Sequence, residues 1–131
     1  MKQLLVLATL VFSHAAVACD CVPITDDAAF AKAQSVFLAT VTEAELIEPA
    51  RKVRARFTVL EIFKGDPTYV KALESHDPSS DCAVRITIGA RYLIFAGPEE
   101  VALLGDCGPG YSRHFNAAKE STWLKKHKRP R

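Results

Sequence analysis

The stretch Val53-Arg54-Ala55-Arg56-Phe57-Thr58-Val59-Leu60-Glu61-Ile62-Phe63 decides the fold. From Val53 to Val59 apolar and polar residues alternate with a period of two, the pattern of a strand that buries one face. Leu60 and Ile62 then carry the apolar character on the opposite parity. A parity slip inside one run predicts a bulge or strong coiling, because one extra residue turns the following side chains to the other face. The stretch therefore reads as one long, coiled strand.

Working outward toward the N-terminus, the apolar and β-branched run Val36 to Thr42 predicts a first strand, and the charged stretch Glu43 to Glu48 a loop. Before it, Thr25-Asp26-Asp27 supplies a cap and first-turn acids for a short helix through Ala28 to Gln34, anchored by Phe30. Toward the C-terminus, Lys64-Gly65-Asp66-Pro67 is a turn and Tyr69 to Leu73 a third strand, after which the loop from His76 to Asp81 leads to Cys82. Arg91 to Ala96, closed by Gly97-Pro98, is the fourth strand, and Val101 to Leu104, ending near Cys107, the fifth. Gly108-Pro109-Gly110 breaks the chain, and Asn116 to Lys128 predicts a terminal helix anchored by Trp123 and Leu124. The expected fold is mainly β: a five-stranded OB-type barrel with a short N-terminal helix, a C-terminal helix and two disulfides.

Residues 1–18 read as an export signal. Lys2 is the basic start, Leu4 to Phe12 the apolar core, and Ala16-Val17-Ala18 a small-x-small cleavage site. The segment is shorter than the ~20 apolar residues of a spanning helix. Cleavage after Ala18 leaves residues 19–131, the size of one domain, in a secreted or periplasmic setting, with Cys19 as the first residue. Lipidation of Cys19 is a rival route. It would ordinarily want a bulky Leu where Ala16 stands, and it would leave three cysteines, an odd set.

All four cysteines, at positions 19, 21, 82 and 107, lie beyond the signal, and an even count in a small exported domain reads as two disulfides. A bridge between Cys19 and Cys21 would close a strained ring, so both reach out to Cys82 and Cys107. The chain carries 17 Lys+Arg against 15 Asp+Glu, but Lys125, Lys126, Lys128, Arg129 and Arg131 crowd the final segment 125–131. The body is acidic, which argues against nucleic acid as the partner. The basic tail complements the dipole of a helix end, or makes weak contact with an anionic lipid or glycan surface.

No constellation of an enzyme stands out. His76, His114 and His127 are scattered without metal spacing and read as solvated surface residues. Asp77, Asp81 and Asp106 flank the cysteine loops, where turn capping is the ordinary role of Asp. A redox role for Cys19-x-Cys21 would need an accessible thiol of lowered pKa, and both have disulfide partners. The expectation is a non-enzymatic, monomeric protein with no cofactor of its own.

Cys19-x-Cys21-x-Pro23 behind a signal, the Ala29-Phe30 helix, the strand Val36 to Val41, Ile62-Phe63-Lys64-Gly65, Ser80-Asp81-Cys82, Tyr92-Leu93-Ile94 and Cys107 together resemble one family. It is the inhibitory N-terminal domain of tissue inhibitors of metalloproteinases, in the netrin-like group. The resemblance spans residues 19–107 and implies pairings Cys19–Cys82 and Cys21–Cys107. It implies that the α-amino nitrogen and carbonyl oxygen of Cys19 chelate the catalytic zinc of a target metalloendopeptidase. The implied target-binding ridge is Cys19, Asp20, Cys21, Val22 and Pro23 with Ser79, Ser80, Asp81 and Cys82. Zinc would be contacted only in the target.

Three features depart from that family. Asp20 stands where a small hydroxyl residue is usual, Ala31 where animal members carry a further disulfide, and the family's cysteine-rich second domain has no counterpart. The expectation is a minimal, single-domain relative, with a non-inhibitory module that recognises a cell-surface protein or glycan as the alternative.

Overall fold

The computed structural model describes residues 24–76, 83–105 and 111–130. The protein is mainly β. Six strands form one sheet, β1 (Ser35–Ile47), β2 (Lys52–Lys64), β3 (Ala72–Ser75), β4 (Arg91–Ala96), β5 (Val101–Leu104) and β6 (Ser112–His114), in the spatial order β5-β3-β2-β1-β4-β6. All neighbours are antiparallel except β3 and β5, which run parallel. Two short helices, α1 (Asp26–Lys32) and α2 (Ser121–His127), complete the described elements. Neither is long and apolar enough to cross a membrane.

The sheet curls into a half-barrel, and the parity slip in β2 is one cause. Ala39 of β1 pairs with Val59, but Leu38 pairs with Glu61, so Leu60 is the extra residue of a bulge. Phe63 is skipped in the same way between Ile62 and Lys64, and Thr42 is skipped on β1. Each bulge bends the strand and increases its twist. Past Leu60 the parity is reversed, as the sequence pattern predicted: Ile62 pairs with Phe37 and so shares its face with Val59, which pairs with Ala39. Leu60 itself stays half exposed.

The inner half of β1, residues 35–41, and β4 are buried on both faces, which explains their unbroken apolar runs. Phe37, Ala39 and Val41 of β1, with Tyr92 and Ile94 of β4, fill the concave side. Val36, Leu38, Leu93 and Phe95 point the other way, onto α1 and α2. There Trp123 packs edge-on against Phe63 at 5.0 Å and against Phe30 at 6.3 Å, which seats α2 over the convex face as the Trp123–Leu124 anchor predicted.

α1 begins where its acids indicated, with Thr25 as N-cap accepting a hydrogen bond from the Ala28 N–H. It ends at Lys32, two residues before the expected Gln34.

Several expectations are corrected. The stretch Glu43 to Ile47, read mostly as a loop, continues β1 as a ribbon exposed on both faces. It has no apolar period because it has no core to face; Glu43 instead pairs with Arg56 at 3.5 Å across the ribbon. The third strand begins at Ala72 rather than Tyr69. Pro67–Tyr69 forms a 3-10 turn, capped by Asp66 Oδ1 accepting from the Thr68 N–H, and the Tyr69 hydroxyl donates to the Gly97 carbonyl at 2.6 Å. The terminal helix begins at Ser121, not Asn116, because Asn116 Oδ1 accepts from the Ala118 N–H and closes a turn of its own. β6 is a sixth strand where five were expected. His127, read as a solvated residue, lies stacked on Trp123 at 4.3 Å and against Phe30 at 4.6 Å.

Gly65 links β2 to the 3-10 turn with φ of +66°, and a Cβ there would collide with the Gln34 carbonyl oxygen. Gly65→Ala should therefore cost about 2–3 kcal/mol of stability through left-handed strain plus backbone displacement. Urea denaturation measures it. A midpoint shift equivalent to a few tenths would contradict the close approach.

Candidate functional site

The cysteine-bearing segments predicted to make the site adjoin described residues that meet at one end of the sheet. Ala83, which follows Cys82 in sequence, forms an antiparallel bridge with Gly105. Gly105, two residues before Cys107, forms a parallel bridge with Tyr111, and its carbonyl accepts from the Ser112 N–H at 3.0 Å. Tyr111 in turn donates its hydroxyl proton to Asp26 Oδ1 at 2.7 Å, two residues after Ile24, where the described chain begins. Ile24 and Tyr111 also pack on the same convex cluster and line one recess of about 220 Å³ with Phe95 and Pro98. The described ends of three segments, 1–23, 77–82 and 106–110, thus converge.

A charged fork holds this junction together. Arg113 of β6 donates from Nε and Nη2 to the two carboxylate oxygens of Asp26, at 3.1 and 2.7 Å. Nη1 and Nη2 also donate to Glu120, the residue at the N-cap position of α2. The guanidinium fork suits this geometry because its five donors lie in one plane. One side chain so ties the start of α1, the edge strand β6 and the start of α2.

Burial raises the Asp26 carboxyl, but the hydrogen bonds from Arg113 and Tyr111 outweigh it and hold the group below its ordinary value of 3.8. Burial, together with the bond to Asp26, pushes the Tyr111 hydroxyl up to about 12. The bond to Glu120 raises Arg113 still further into its charged form, against the effect of burial. The cluster is a structural clamp in which each charge faces a partner.

The predicted ridge residues Cys19, Asp20, Cys21, Val22, Pro23, Ser79, Ser80, Asp81 and Cys82 all lie outside the described residues, as do Cys107 and both predicted disulfides. Among the described residues no group of three or more His, Cys, Asp or Glu could hold a metal ion. Of the basic tail, Lys126 pairs with Asp27 at 3.0 Å, and Arg129 donates to the Gly65 carbonyl at 2.9 Å. Lys125 and Lys128 are exposed, and Arg131 lies outside the described residues.

Sequence reading missed the Arg113 clamp. Asp26 was recognised only as a first-turn acid, and nothing local marks Arg113 as its partner 87 residues away. No protein-family model matches the chain, and no curated protein matches it.

Because the carboxyl of Asp26 is held below its unfolded value, the stability it contributes is present above about pH 4 and is lost as pH falls through its folded value. Asp26→Asn should cost about 1–2 kcal/mol at neutral pH, with the deficit shrinking below pH 4. Arg113→Met, which strands two carboxylates, should cost about 3 kcal/mol. Denaturation at pH 7 and pH 3 reads both. An Asp26→Asn deficit that stays the same at both pH values would refute the clamp.

Proposed function

We propose that the protein is exported and that mature Cys19 binds the catalytic zinc of a metalloendopeptidase through its α-amino nitrogen and carbonyl oxygen. The observation that carries this reading is Cys19-Asp20-Cys21 directly behind the small-x-small cleavage site. A catalytic zinc keeps one position open for water, and a five-membered amine-carbonyl chelate fits that position. Only the neutral amine ligates; it titrates near pH 8 when free, and the metal favours its deprotonation.

Convergence of the described ends at Ala83, Gly105, Tyr111 and Asp26 supports the two-disulfide clamp, Cys19–Cys82 and Cys21–Cys107. Such a clamp would hold the chelate rigid before binding and so reduce the ordering cost. The half-barrel, with its edges drawn together at Gly105 and Tyr111, supports a small, partly open OB-type barrel as the mount. The ridge would then be Cys19 to Pro23 with Ser79 to Cys82.

Asp20 narrows the target class. In the position that enters the pocket beside the zinc, a carboxylate loses hydration in an apolar pocket without an assured partner. Proteases with a polar or cationic pocket suit it better. The same residue favours the second reading, a netrin-like module that binds a cell-surface protein or glycan without inhibiting. In that case the exposed Lys125 and Lys128 would add a salt-dependent contact.

The exported protein should begin at Cys19 with an unmodified amine and show the two named bridges on disulfide-mapped mass spectrometry; an acylated Cys19 ends the proposal. Mature protein should inhibit a panel member among zinc proteases, and one extra N-terminal Ala should abolish that inhibition. Equal inhibition by both forms, or by neither, would rule out zinc chelation.

A further inference from the structure

β2 is 13 residues long, but β3 pairs with it only at Val53, Arg54 and Ala55. Beyond Ala55 the chain that should continue β3 turns away. The N–H groups of Lys71 and Ala72 bond to the Glu100 carbonyl instead, and Tyr69 is drawn to Ser35 and Gly97 by its hydroxyl. Pro67 has no N–H to offer. The side of β2 away from β1 is therefore unpaired over residues 56–62 among the described residues.

The gap is a groove of about 410 Å³. Phe57, Val59, Ile62 and Val70 give it an apolar floor, and Arg56 and Lys71 stand at the end nearest β3. Among the described residues no carboxylate lines it. Among the described residues Arg56 is engaged by Glu43 at 3.5 Å, both side chains being mostly exposed, and Lys71 by the Thr68 carbonyl at 2.8 Å. Ile62, 36% exposed, leaves the other end apolar. Proteins ordinarily blunt an open edge with Lys, Pro or a covering segment. This one has neither Lys nor Pro between 56 and 62, though the bulge at Leu60 lies within the stretch.

We propose that the groove binds an extended peptide segment of a partner protein, which adds to β2 as an antiparallel strand in the place that β3 vacates. An antiparallel occupant runs in the direction of β3, so its C-terminal end arrives at Arg56 and Lys71. The recognised segment therefore alternates apolar and polar residues and ends in acidic residues. Main-chain bonds to β2 supply affinity, the floor takes alternate side chains, and the two cations set polarity. None of the proposed zinc-binding residues takes part, so this site stands or falls independently of them.

The probe is the synthetic peptide acetyl-Thr-Val-Thr-Val-Thr-Val-Asp-Asp, with a second ending in Lys-Lys as its comparison. In solution NMR the Asp-ended peptide should shift the amide signals of residues 57–62. In fluorescence anisotropy it should bind more tightly than the Lys-ended one. The double reversal Arg56→Glu with Lys71→Glu, both at exposed positions, should weaken the Asp-ended peptide about tenfold and reverse the preference. No binding by the unaltered protein, shifts confined to other residues, or equal affinity for both peptides would overturn the proposal. So would self-association of the protein through residues 56–62 without peptide.

Discussion

The structure depends on the inner half of β1 being covered on both faces. A strand with Phe37 and Ala39 on one side and Val36 and Leu38 on the other cannot be left at the edge of an open sheet. It needs β2 and β4 beside it, a concave core beneath it and helices above it. The bulges opposite β1, at Leu60 and Phe63, give the sheet the bend that makes a concave side at all. The helices follow from the same demand. Trp123 and Phe30 have no place to go except the convex surface of β1 and β4, where Phe95 receives Trp123.

Once the sheet is curled, its two ends acquire different characters. At one, the bridges among Ala83, Gly105 and Tyr111 and the fork of Arg113 gather three chain segments into a fixed junction. There Arg113 faces both Asp26 and Glu120. Along the wall between β2 and the 3-10 turn the opposite holds: among the described residues the backbone of 56–62 lacks a second strand neighbour, and the side chains below it are apolar. The protein thus pairs a well-anchored mount with an open groove, and the two proposed binding activities draw on these separate properties.

Much of this was legible before any coordinates. The bulge at Leu60 announced itself because a period of two cannot change parity without an extra residue. Arg91–Ala96 and Val101–Leu104 match their predicted bounds, since short apolar runs closed by turn residues leave little choice. The outer half of β1 was not legible, because a ribbon wet on both faces has no hydrophobic period. β6 was not legible either. Three residues, Ser112 to His114, are too few to carry a pattern, and they are a strand only because β4 lies alongside.

By itself, the sequence determined what is local: the parity slip, the cap at Thr25, the short strands Arg91–Ala96 and Val101–Leu104, and the Trp123 anchor. Each follows from side-chain period, turn chemistry or composition, which act over a few residues. Tertiary structure alone decided what depends on distant neighbours: Asp26 held by Arg113, His127 buried against Trp123, Arg129 tied to Gly65, and β2 deserted by β3. In each case the deciding partner lies outside the local pattern, and only the packed state brings the groups within hydrogen-bonding or van der Waals range.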